Sequence, residues 1–236
     1  MIKVENTEVY GFEAAIRGMR NPKNSWEKSD SEWCPNGTEY GACFGDSRPI
    51  CPRRDTGDPM FCIGPNDLNL MKLLTKSGTD HSKFLRMIHV QVDVTAPLYW
   101  WKEADQYKVG TVTDSCSTMH KIHAKKFTLD DFSHEHLTFY EHDGELWRDF
   151  KGTLEDVVDE LNFARGLFLE TNDKRWWWQM IQLLPSSYNQ KRTWDLNYEV
   201  LRNIYFARKD HKLDEWHTLC EWIEQLPYFK EIVIGE

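Results

Sequence analysis

Residues 182–208, QLLPSSYNQKRTWDLNYEVLRNIYFAR, carry the most specific pattern in this chain of 236 residues. A helix that precedes them is predicted to stop near Pro185, because proline removes a backbone donor and clashes with the preceding helical turn. The segment 188–196 is then predicted to be extended. Apolar residues recur at helical spacing over 197–209 and again over 213–225. The carboxy-terminal third therefore has the predicted order helix, strand, helix, helix.

Upstream, residues 88–95, IHVQVDVT, alternate between apolar and polar without a break. This period of two is typical of a strand with one buried face. The strand is predicted to end at Ala96-Pro97, because proline cannot donate to the ladder. A helix over 98–108, LYWWKEADQYK, is predicted to follow, and a shorter amphipathic helix that stops at Gly78 precedes the strand.

The remaining segments complete one predicted α+β domain over 1–236. Residues 154–170 have the apolar spacing of an amphipathic helix. The region of about 27–65 is rich in Gly, Pro, Asp and Cys, which predicts an irregular insertion. We therefore expect a helix-rich single domain with a small central antiparallel or mixed sheet.

The middle of the chain is polar. Residues 109–126 are predicted to form a loop with at most a short strand, and 127–150 to form short polar helices or turns. Five histidines lie in this part of the chain, but no spacing puts two of them on one helix face beside a carboxylate. We interpret them as surface or substrate-loop residues, with His120 and His123 the best placed to face a ligand.

The cysteines give a weak metal signal. Cys34, Cys43, Cys51 and Cys62 are clustered but include no C-x-x-C pair, which structural zinc sites usually have. We therefore predict no metal site, with free thiols in a lid or interface loop as the favoured interpretation. A zinc-stabilised structural module is the alternative.

Composition restricts the class of protein. The formal net charge of −9 and a pI near 5.5 argue against binding to duplex nucleic acid, which needs a basic face. No apolar run reaches the roughly 18 residues of a membrane helix, and the amino terminus lacks the pattern of a signal peptide. We therefore expect a cytoplasmic protein that has no contact with membranes.

Tryptophan is abundant, with eleven in the chain. Trp100-Trp101 and Trp176-Trp177-Trp178 are the two clusters. We interpret them as core or subunit interface, with the wall of a pocket for a planar ring as the alternative.

Two blocks of this sequence resemble the flavin-dependent thymidylate synthases. The first block is the helix, alternating strand, Ala-Pro and helix described above, after which the family has a signature written R-H-R, about seven residues, S-x-R. Laid without gaps, the signature falls on the following positions: Gln106, Tyr107 and Lys108, then Cys116 and Thr118.

The second block is 182–223. It is similar to a family segment of Leu-Pro, an extended stretch ending in Trp-x-x-Asn, and a helix with a central Asn that ends near an Arg. The matching positions stand at the family's spacings: Leu184-Pro185, Trp194, Asn197, Asn203 and Arg208. The two blocks cover roughly half of the chain, and the second is the more specific.

The resemblance implies a fold and an activity. The family consists of homotetramers that use FAD, a reduced nicotinamide such as NADPH and a folate one-carbon donor to methylate dUMP. It implies that this chain binds a pyrimidine nucleotide and transfers a one-carbon unit to C5 of a deoxyuridine nucleotide. The alternative is a catalytically degenerate nucleotide-binding or interaction protein on the same scaffold, with a phage as its source.

The resemblance also implies roles for individual residues. The expected catalytic residues are Arg208, Asp114 and Cys116. The expected substrate-binding residues are Glu103, Lys108, Ser117 and Arg208. The expected cofactor-binding residues are Gln106, Lys108, Asn197 and Asn203. Cys116 is interpreted as a substrate contact, or as a nucleophile activated by a nearby ammonium group.

Arg208 and Asn197 are eleven residues apart, so both project from nearly the same face of the predicted helix. A guanidinium and a carboxamide on one face suit a phosphate and a pyrimidine edge. Other positions depart from the family. Gln106 and Thr118 do not carry the fixed charge of the signature arginines, and Glu199 replaces an arginine, so it is expected to repel a pyrophosphate.

Overall fold

The computed structural model describes residues 2–33 and 61–235. Within these ranges, strands occupy Lys3–Tyr10 (β1), Glu32–Trp33 (β2), Phe61–Cys62 (β3), His89–Pro97 (β4), Val112–Ser115 (β5), Phe139–His142 (β6), Glu145–Asp149 (β7) and Asn189–Asn197 (β8). Helices occupy Phe12–Arg20 (α1), Pro65–Lys76 (α2), Leu98–Ala104 (α3), Phe150–Thr171 (α4), Lys174–Leu183 (α5), Tyr198–Arg208 (α6) and Asp214–Glu224 (α7).

Four strands form the central sheet in the order β1-β4-β8-β5, and β2-β3 and β6-β7 form separate antiparallel pairs. Along β4, the side chains of Val90, Val92 and Val94 are buried, whereas the residues between them are half-exposed. This alternation is that of a strand which covers a core with one face. The predicted helix-rich α+β class with a small sheet is confirmed.

The described residues cluster into two compact units. Unit 1 contains Met1–Asn6, Val92–Lys108 and Val112–Trp194, and unit 2 contains Thr7–Gln91, Val109–Thr111 and Asp195–Glu236. The chain passes between the units several times, so no single cut in the sequence separates them. The single domain over 1–236 therefore stays a prediction.

Unit 1 contains an apolar core under α4 and α5. Leu161 and Met180 are fully buried there and pack with Phe127 and Phe132. α4 begins with Asp149, whose side chain accepts a hydrogen bond from Gly152 N at 2.9 Å. Such a cap satisfies a backbone donor at the helix start and contributes about 1 kcal/mol.

A tryptophan cluster lies elsewhere in unit 1. Trp100, Trp101 and Trp194 are fully buried, and their rings meet edge to face at centroid distances of 4.9 to 6.1 Å. Edge-to-face contacts are favourable because the positive edge of one ring meets the negative face of another. The interpretation of Trp100-Trp101 as core is confirmed, while Trp178 on α5 is exposed.

Unit 2 is organised around Tyr198 at the start of α6. Its side chain is fully buried, and its hydroxyl donates to Pro227 O at 2.6 Å. The rings of Phe12 and Phe229 meet it edge to face at 5.7 and 5.3 Å. Burial raises the pKa of Tyr198 well above its ordinary value, so the phenol stays neutral and donates.

A buried ion pair in unit 2 holds the start of the predicted insertion. Arg20 Nε donates to Asp67 Oδ1 at 2.6 Å, and both side chains are buried. The other carboxylate oxygen of Asp67 accepts hydrogen bonds from the hydroxyls of Ser29 and Ser31 at 2.7 and 2.6 Å. Burial acts to raise the pKa of Asp67, but the hydrogen bonds from Ser31, Ser29 and Arg20 outweigh it and lower the pKa.

Strands β2 and β3 flank residues 34–60, which lie outside the described residues. Glu32 pairs with Cys62, and Trp33 pairs with Phe61. The ring centroids of Trp33 and Phe61 lie 5.5 Å apart. The irregular insertion predicted over about 27–65 is thus described only at its two ends, where the chain is regular.

Two predictions of local structure were wrong. The region 127–150, predicted to form short polar helices or turns, contains the hairpin β6-β7. Its turn consists of Asp143 and Gly144, both at positive φ, of 52° and 80°. Asp-Gly favours a two-residue hairpin turn because both central positions need left-handed backbone. The helix predicted over 98–108 ends at Ala104, and a turn follows.

Candidate functional site

A cavity of about 460 Å³ in unit 1 adjoins the predicted signature loop. This volume lies within the range of small-molecule sites, roughly 300 to 1,000 Å³. Residues from four parts of unit 1 line it, and most are polar: Thr95, Cys116, Ser117, Thr118, Lys121, Ile122, Ala124, Lys125, Phe127, Asp130, Asp131, Tyr188, Asn189, Gln190 and Lys191.

Backbone hydrogen bonds fix the loop that forms one wall. Cys116 N donates to Lys191 O at 2.9 Å, which fastens the end of β5 to β8. Ser117 Oγ accepts from His120 N, and Ala124 N donates to Lys121 O, both at 2.9 Å. These bonds close two successive turns of the loop.

Side chains from α4 and α5 hold the same loop from its other side. Trp177 Nε1 donates to Met119 O, and Arg165 Nε donates to His123 O, both at 2.9 Å. Asn162 exchanges two hydrogen bonds of 2.9 Å with the backbone of Phe127. The helical pair therefore positions the loop as well as forming a core.

A polar chain links β8 to the loop and to α3. Gln190 is buried, and its Nε2 donates to Cys116 O at 2.7 Å. Gln190 Oε1 accepts from Arg192 Nε at 3.0 Å, and Arg192 also donates to Asp105 at 2.7 Å. The guanidinium lies 4.3 Å from the Trp101 ring centre, a cation–π contact. Gln190 is thus a positioning residue for Cys116.

Two of the three lysines of the cavity are paired with acids. Lys125 Nζ donates to Asp131, and this hydrogen bond raises the pKa of the lysine. Lys191 Nζ lies 3.0 Å from Asp93 Oδ2, and that hydrogen bond likewise raises its pKa. Hydrogen bonds from Thr193, Asn6 and Lys191 lower the pKa of Asp93 to about 2. The charges of Lys125, Lys191 and Asp93 are therefore present at neutral pH.

Tyr188 brings an aromatic ring to the cavity wall. Its ring meets Phe132 edge to face at 5.6 Å. Burial raises the pKa of Tyr188, and the charge of Lys125 opposes the shift. The next residue, Asn189, has a buried side-chain oxygen without a hydrogen-bond partner in the described part of the chain. The wall thus combines a half-buried ring with amide and hydroxyl groups.

The predicted site residues of unit 1 divide into two groups. Cys116 and Ser117 line the cavity, and Cys116 is exposed. The others do not line it: Glu103 on α3, Gln106 and Lys108 in the turn after α3, and Asp114 on β5. Gln106, Lys108 and Asp114 have exposed side chains, whereas Glu103 is half-buried.

The predicted site residues of unit 2 lie on or next to α6. Asn197 is the N-cap: its Oδ1 accepts from Val200 N at 3.1 Å, and its Nδ2 donates to Gly110 O at 3.3 Å. Asn203 is exposed on α6. The guanidinium of Arg208 lies 4.7 Å from the ring centre of Trp216.

Glu199, expected to repel a pyrophosphate, is buried in unit 2. Its Oε1 lies 3.0 Å from Arg202 Nη2, and Arg202 also donates to Ser82 Oγ at 3.2 Å. The negative charge of Glu199 is therefore compensated inside unit 2.

The residues predicted to bind a cofactor stay a prediction, and the structure describes their present contacts and exposure. The Asn197 amide bonds to backbone groups through Oδ1 and Nδ2, and a carboxamide with one bond at each atom keeps a second N–H and a second lone pair for a further partner. Gln106, Lys108 and Asn203 have exposed side chains.

Residues 2–33 and 61–235 contain no group of three or more His, Cys, Asp or Glu that could hold a metal ion. Cys34, Cys43 and Cys51 lie outside the described residues. The prediction that these cysteines bind no metal therefore stays a prediction. None of the helices in the described part is long and apolar enough to cross a membrane.

Sequence reasoning missed most of the cavity wall. Lys121, Lys125, Tyr188, Gln190 and Lys191 were not predicted as site residues. One available signal was the alternation along β8, where Asn189, Lys191 and Thr193 share one face. The polar loop after Cys116 gave no further indication of which of its lysines faces inward.

Comparison with known proteins gives a fold. Neither the protein-family models nor the curated proteins give a match to this sequence. Among solved structures, the chain is similar to thymidylate synthase X (ThyX) from Helicobacter pylori with FAD and dUMP, with a TM-score of 0.64, 16% identity and coverage of 99% of this chain and 97% of that one.

A second similar structure is UMP/dUMP methylase PolB from Streptomyces cacaoi bound with 5-Br dUMP. Its TM-score is 0.57 at 12% identity, with coverage of 100% of this chain and 95% of that chain. At these identities the likeness concerns the fold. The chain therefore has the fold of the flavin-dependent thymidylate synthases.

Proposed function

We propose that this chain binds a pyrimidine nucleotide in the cavity beside Cys116 and Ser117 and transfers a one-carbon unit to C5 of a uracil ring. One observation carries the proposal. A cavity whose wall combines polar groups with apolar surface adjoins the loop where the sequence resembles the family signature. The similar ThyX and PolB structures contain dUMP or 5-Br dUMP.

Within this proposal, the cavity residues bind and orient the nucleotide. The ring of Tyr188 and the apolar side chains of Ile122 and Phe127 contact the base, while Ser117 and Asn189 supply hydrogen-bonding groups. Because the loop is already held by backbone bonds, little ordering free energy is lost when the nucleotide binds. Cys116 is a substrate contact in this arrangement, and Asp114 is the acid next to the loop.

The finer parts of the proposal come from the resemblance. They are FAD as redox carrier, NADPH as the source of electrons, a folate carbon donor, a homotetramer and a cytoplasmic location. Flavin chemistry, when FAD is bound, supplies the electrons for the transfer. The resemblance also implies that Arg208, Lys108 and Glu103 contact the nucleotide and that Gln106 and Asn203 contact the flavin, although none of these residues lines the cavity itself.

The first experiment measures binding and colour together. Purified protein is titrated with dUMP by calorimetry, and its absorbance spectrum is recorded before and after denaturation. Binding of dUMP together with release of FAD supports the enzyme, which is then assayed for dTMP formation with NADPH and methylene-tetrahydrofolate. Absence of dUMP binding contradicts the proposed function.

The second candidate is a non-catalytic nucleotide-binding protein, and one observation favours it. Gln106 and Thr118 stand where the signature of the resembled family has arginines, so two fixed charges suited to binding a flavin or a phosphate are missing. Colourless protein that binds dUMP but gains neither stability with FAD nor activity supports this candidate. A loss of dUMP binding in Arg208→Ala distinguishes a contribution of α6 from binding by the cavity alone.

A further inference from the structure

The lysines of the cavity differ in whether their charge is available to a ligand. Lys125 is paired with Asp131, and Lys191 with Asp93. Lys121 has no acid within ion-pair distance in residues 2–33 and 61–235. Its side chain is exposed. Lys121 is thus the lysine of this wall whose charge is not already compensated.

The backbone of Lys121 is held although its side chain is free. Its carbonyl oxygen accepts from Ala124 N at 2.9 Å, and the preceding turn is closed by the bond between His120 N and Ser117 Oγ. Trp177 holds the adjacent Met119 carbonyl. The backbone of Lys121 is therefore held in place, while its flexible side chain carries an ammonium group with three hydrogen-bond donors.

Acidic residues on the same wall limit how much negative charge the cavity accepts. Asp130 and Asp131 both line it, and Asp131 is occupied by Lys125 and by the Thr128 hydroxyl at 3.1 Å. In the described part of the chain, no cation pairs with Asp130. A ligand with several phosphates would bring further negative charge towards Asp130 without a second free cation to balance it.

We infer that Lys121 binds the phosphate of the ligand and that Asp130 restricts this ligand to a pyrimidine nucleoside with one phosphate. The inference rests on the proposed nucleotide function and names two residues that determine specificity in the same cavity. A hydrogen bond between an ammonium and a phosphate is charge-assisted, and a compact anion is its best partner.

The test compares three ligands on four proteins. Deoxyuridine, dUMP and dUTP are titrated by calorimetry into wild type, Lys121→Ala, Lys126→Ala and Asp130→Asn. Lys126 is the matched control because it is exposed in the same loop and does not line the cavity. Circular dichroism checks that every variant is folded.

We expect wild type to bind dUMP about tenfold or more tightly than deoxyuridine, the size of effect of one charged hydrogen bond. Lys121→Ala brings that ratio close to one, whereas Lys126→Ala leaves it unchanged. Asp130→Asn improves the affinity for dUTP relative to dUMP by several-fold, because it removes the repulsion. The preference of wild type for dUMP also weakens as salt increases.

Other outcomes separate the two proposals. If Lys121→Ala keeps the wild-type ratio, or if wild type binds dUTP as tightly as dUMP, the inference about phosphate is overturned while the nucleotide function stands. If wild type binds neither deoxyuridine nor dUMP, the proposed function and the inference both fail.

Discussion

At the scale of single residues, Cys116 and Cys220 are a natural pair for comparison. Cys116 is exposed and lines the cavity, whereas Cys220 is buried in unit 2. Burial, together with the charges of Glu224 and Asp210, raises the pKa of Cys220 to about 11. Because the thiolate is the reactive form, Cys220 is expected to be inert near neutral pH.

Alkylation tests this difference. Iodoacetamide is expected to modify Cys116 and not Cys220 in folded protein, with the sites identified by peptide mass spectrometry. Saturating dUMP should slow the modification of Cys116 about tenfold or more, because a ligand at ten times its Kd leaves about a tenth of the sites open. Deoxycytidine at the same concentration is the control for a non-specific effect. Equal rates with and without dUMP would argue against a nucleotide beside Cys116.

Gln190 is the residue on which the position of Cys116 depends most directly. Gln190→Leu keeps the volume but removes the donor to Cys116 O and the acceptor for Arg192. We expect a loss of about 1–3 kcal/mol in the free energy of unfolding, since two groups lose their partner. The affinity for dUMP should fall as well, because the loop is no longer held.

The control for Gln190 is Gln179→Leu on α5, where the exposed side chain donates to Arg175 O of its own helix. That change should alter stability by less than about 0.5 kcal/mol. Urea unfolding gives the stability of both variants and calorimetry their affinity. Unchanged dUMP binding in Gln190→Leu contradicts a positioning role.

At the scale of elements, strands and helices with a strong hydrophobic period could be predicted from the sequence. The cavity could not, because it depends on tertiary contacts. The alternation of 88–95 corresponds to β4, and the apolar spacing of 154–170 lies inside α4. The helix predicted over 98–108 was too long, because no feature of the sequence pattern marks the turn that follows Ala104. The cavity was missed because Lys121 and Tyr188 are far apart in the sequence and reach the same cavity only in the folded chain. No local sequence pattern indicates that proximity.

The start of α6 gives a test of Asn197. Asn197→Asp keeps the acceptor for Val200 N and adds a negative charge at a helix N-terminus, but it replaces the donor to Gly110 O with an oxygen. The gain and the loss should offset each other to within about 1 kcal/mol of wild-type stability. Asn197→Ala removes the cap and should cost about 1 kcal/mol. Thermal unfolding measures both.

A flavin contact by Asn197 makes a different prediction. If Asn197 contacts the flavin, both Asn197→Ala and Asn197→Asp should bind less FAD than wild type. The stability of the FAD-free protein should then be the same in wild type and in Asn197→Asp. FAD retention in both variants, together with the stability difference, identifies Asn197 as a structural cap.

At the scale of the whole molecule, the buried Asp67 links stability to pH. Its folded pKa lies below the ordinary value of 3.8, so the ion pair with Arg20 stabilises the protein fully above that value. The stabilisation is lost as the pH falls through the lowered folded pKa, because the unfolded chain then binds the proton more readily. Stability should therefore decrease with acid below about pH 4.

Asp67→Asn should destabilise the protein by about 3–5 kcal/mol at neutral pH, because it leaves the buried Arg20 without a counter-charge. The acid-dependent decrease should become shallower in the variant. Asp159→Asn on the exposed side of α4 is the control and should change neither quantity measurably. Chemical unfolding at several pH values measures the stability at neutral pH and its decrease in acid. If Asp67→Asn keeps the pH profile of wild type, a group other than Asp67 controls the acid dependence of stability.

The pairing of Trp33 with Phe61 has a practical consequence. Neighbouring strands lie about 5 Å apart, so any segment that joins these residues leaves and re-enters the molecule at nearly the same point. A pair of labels at positions 33 and 61 is therefore expected to report directly whether β2 and β3 are paired.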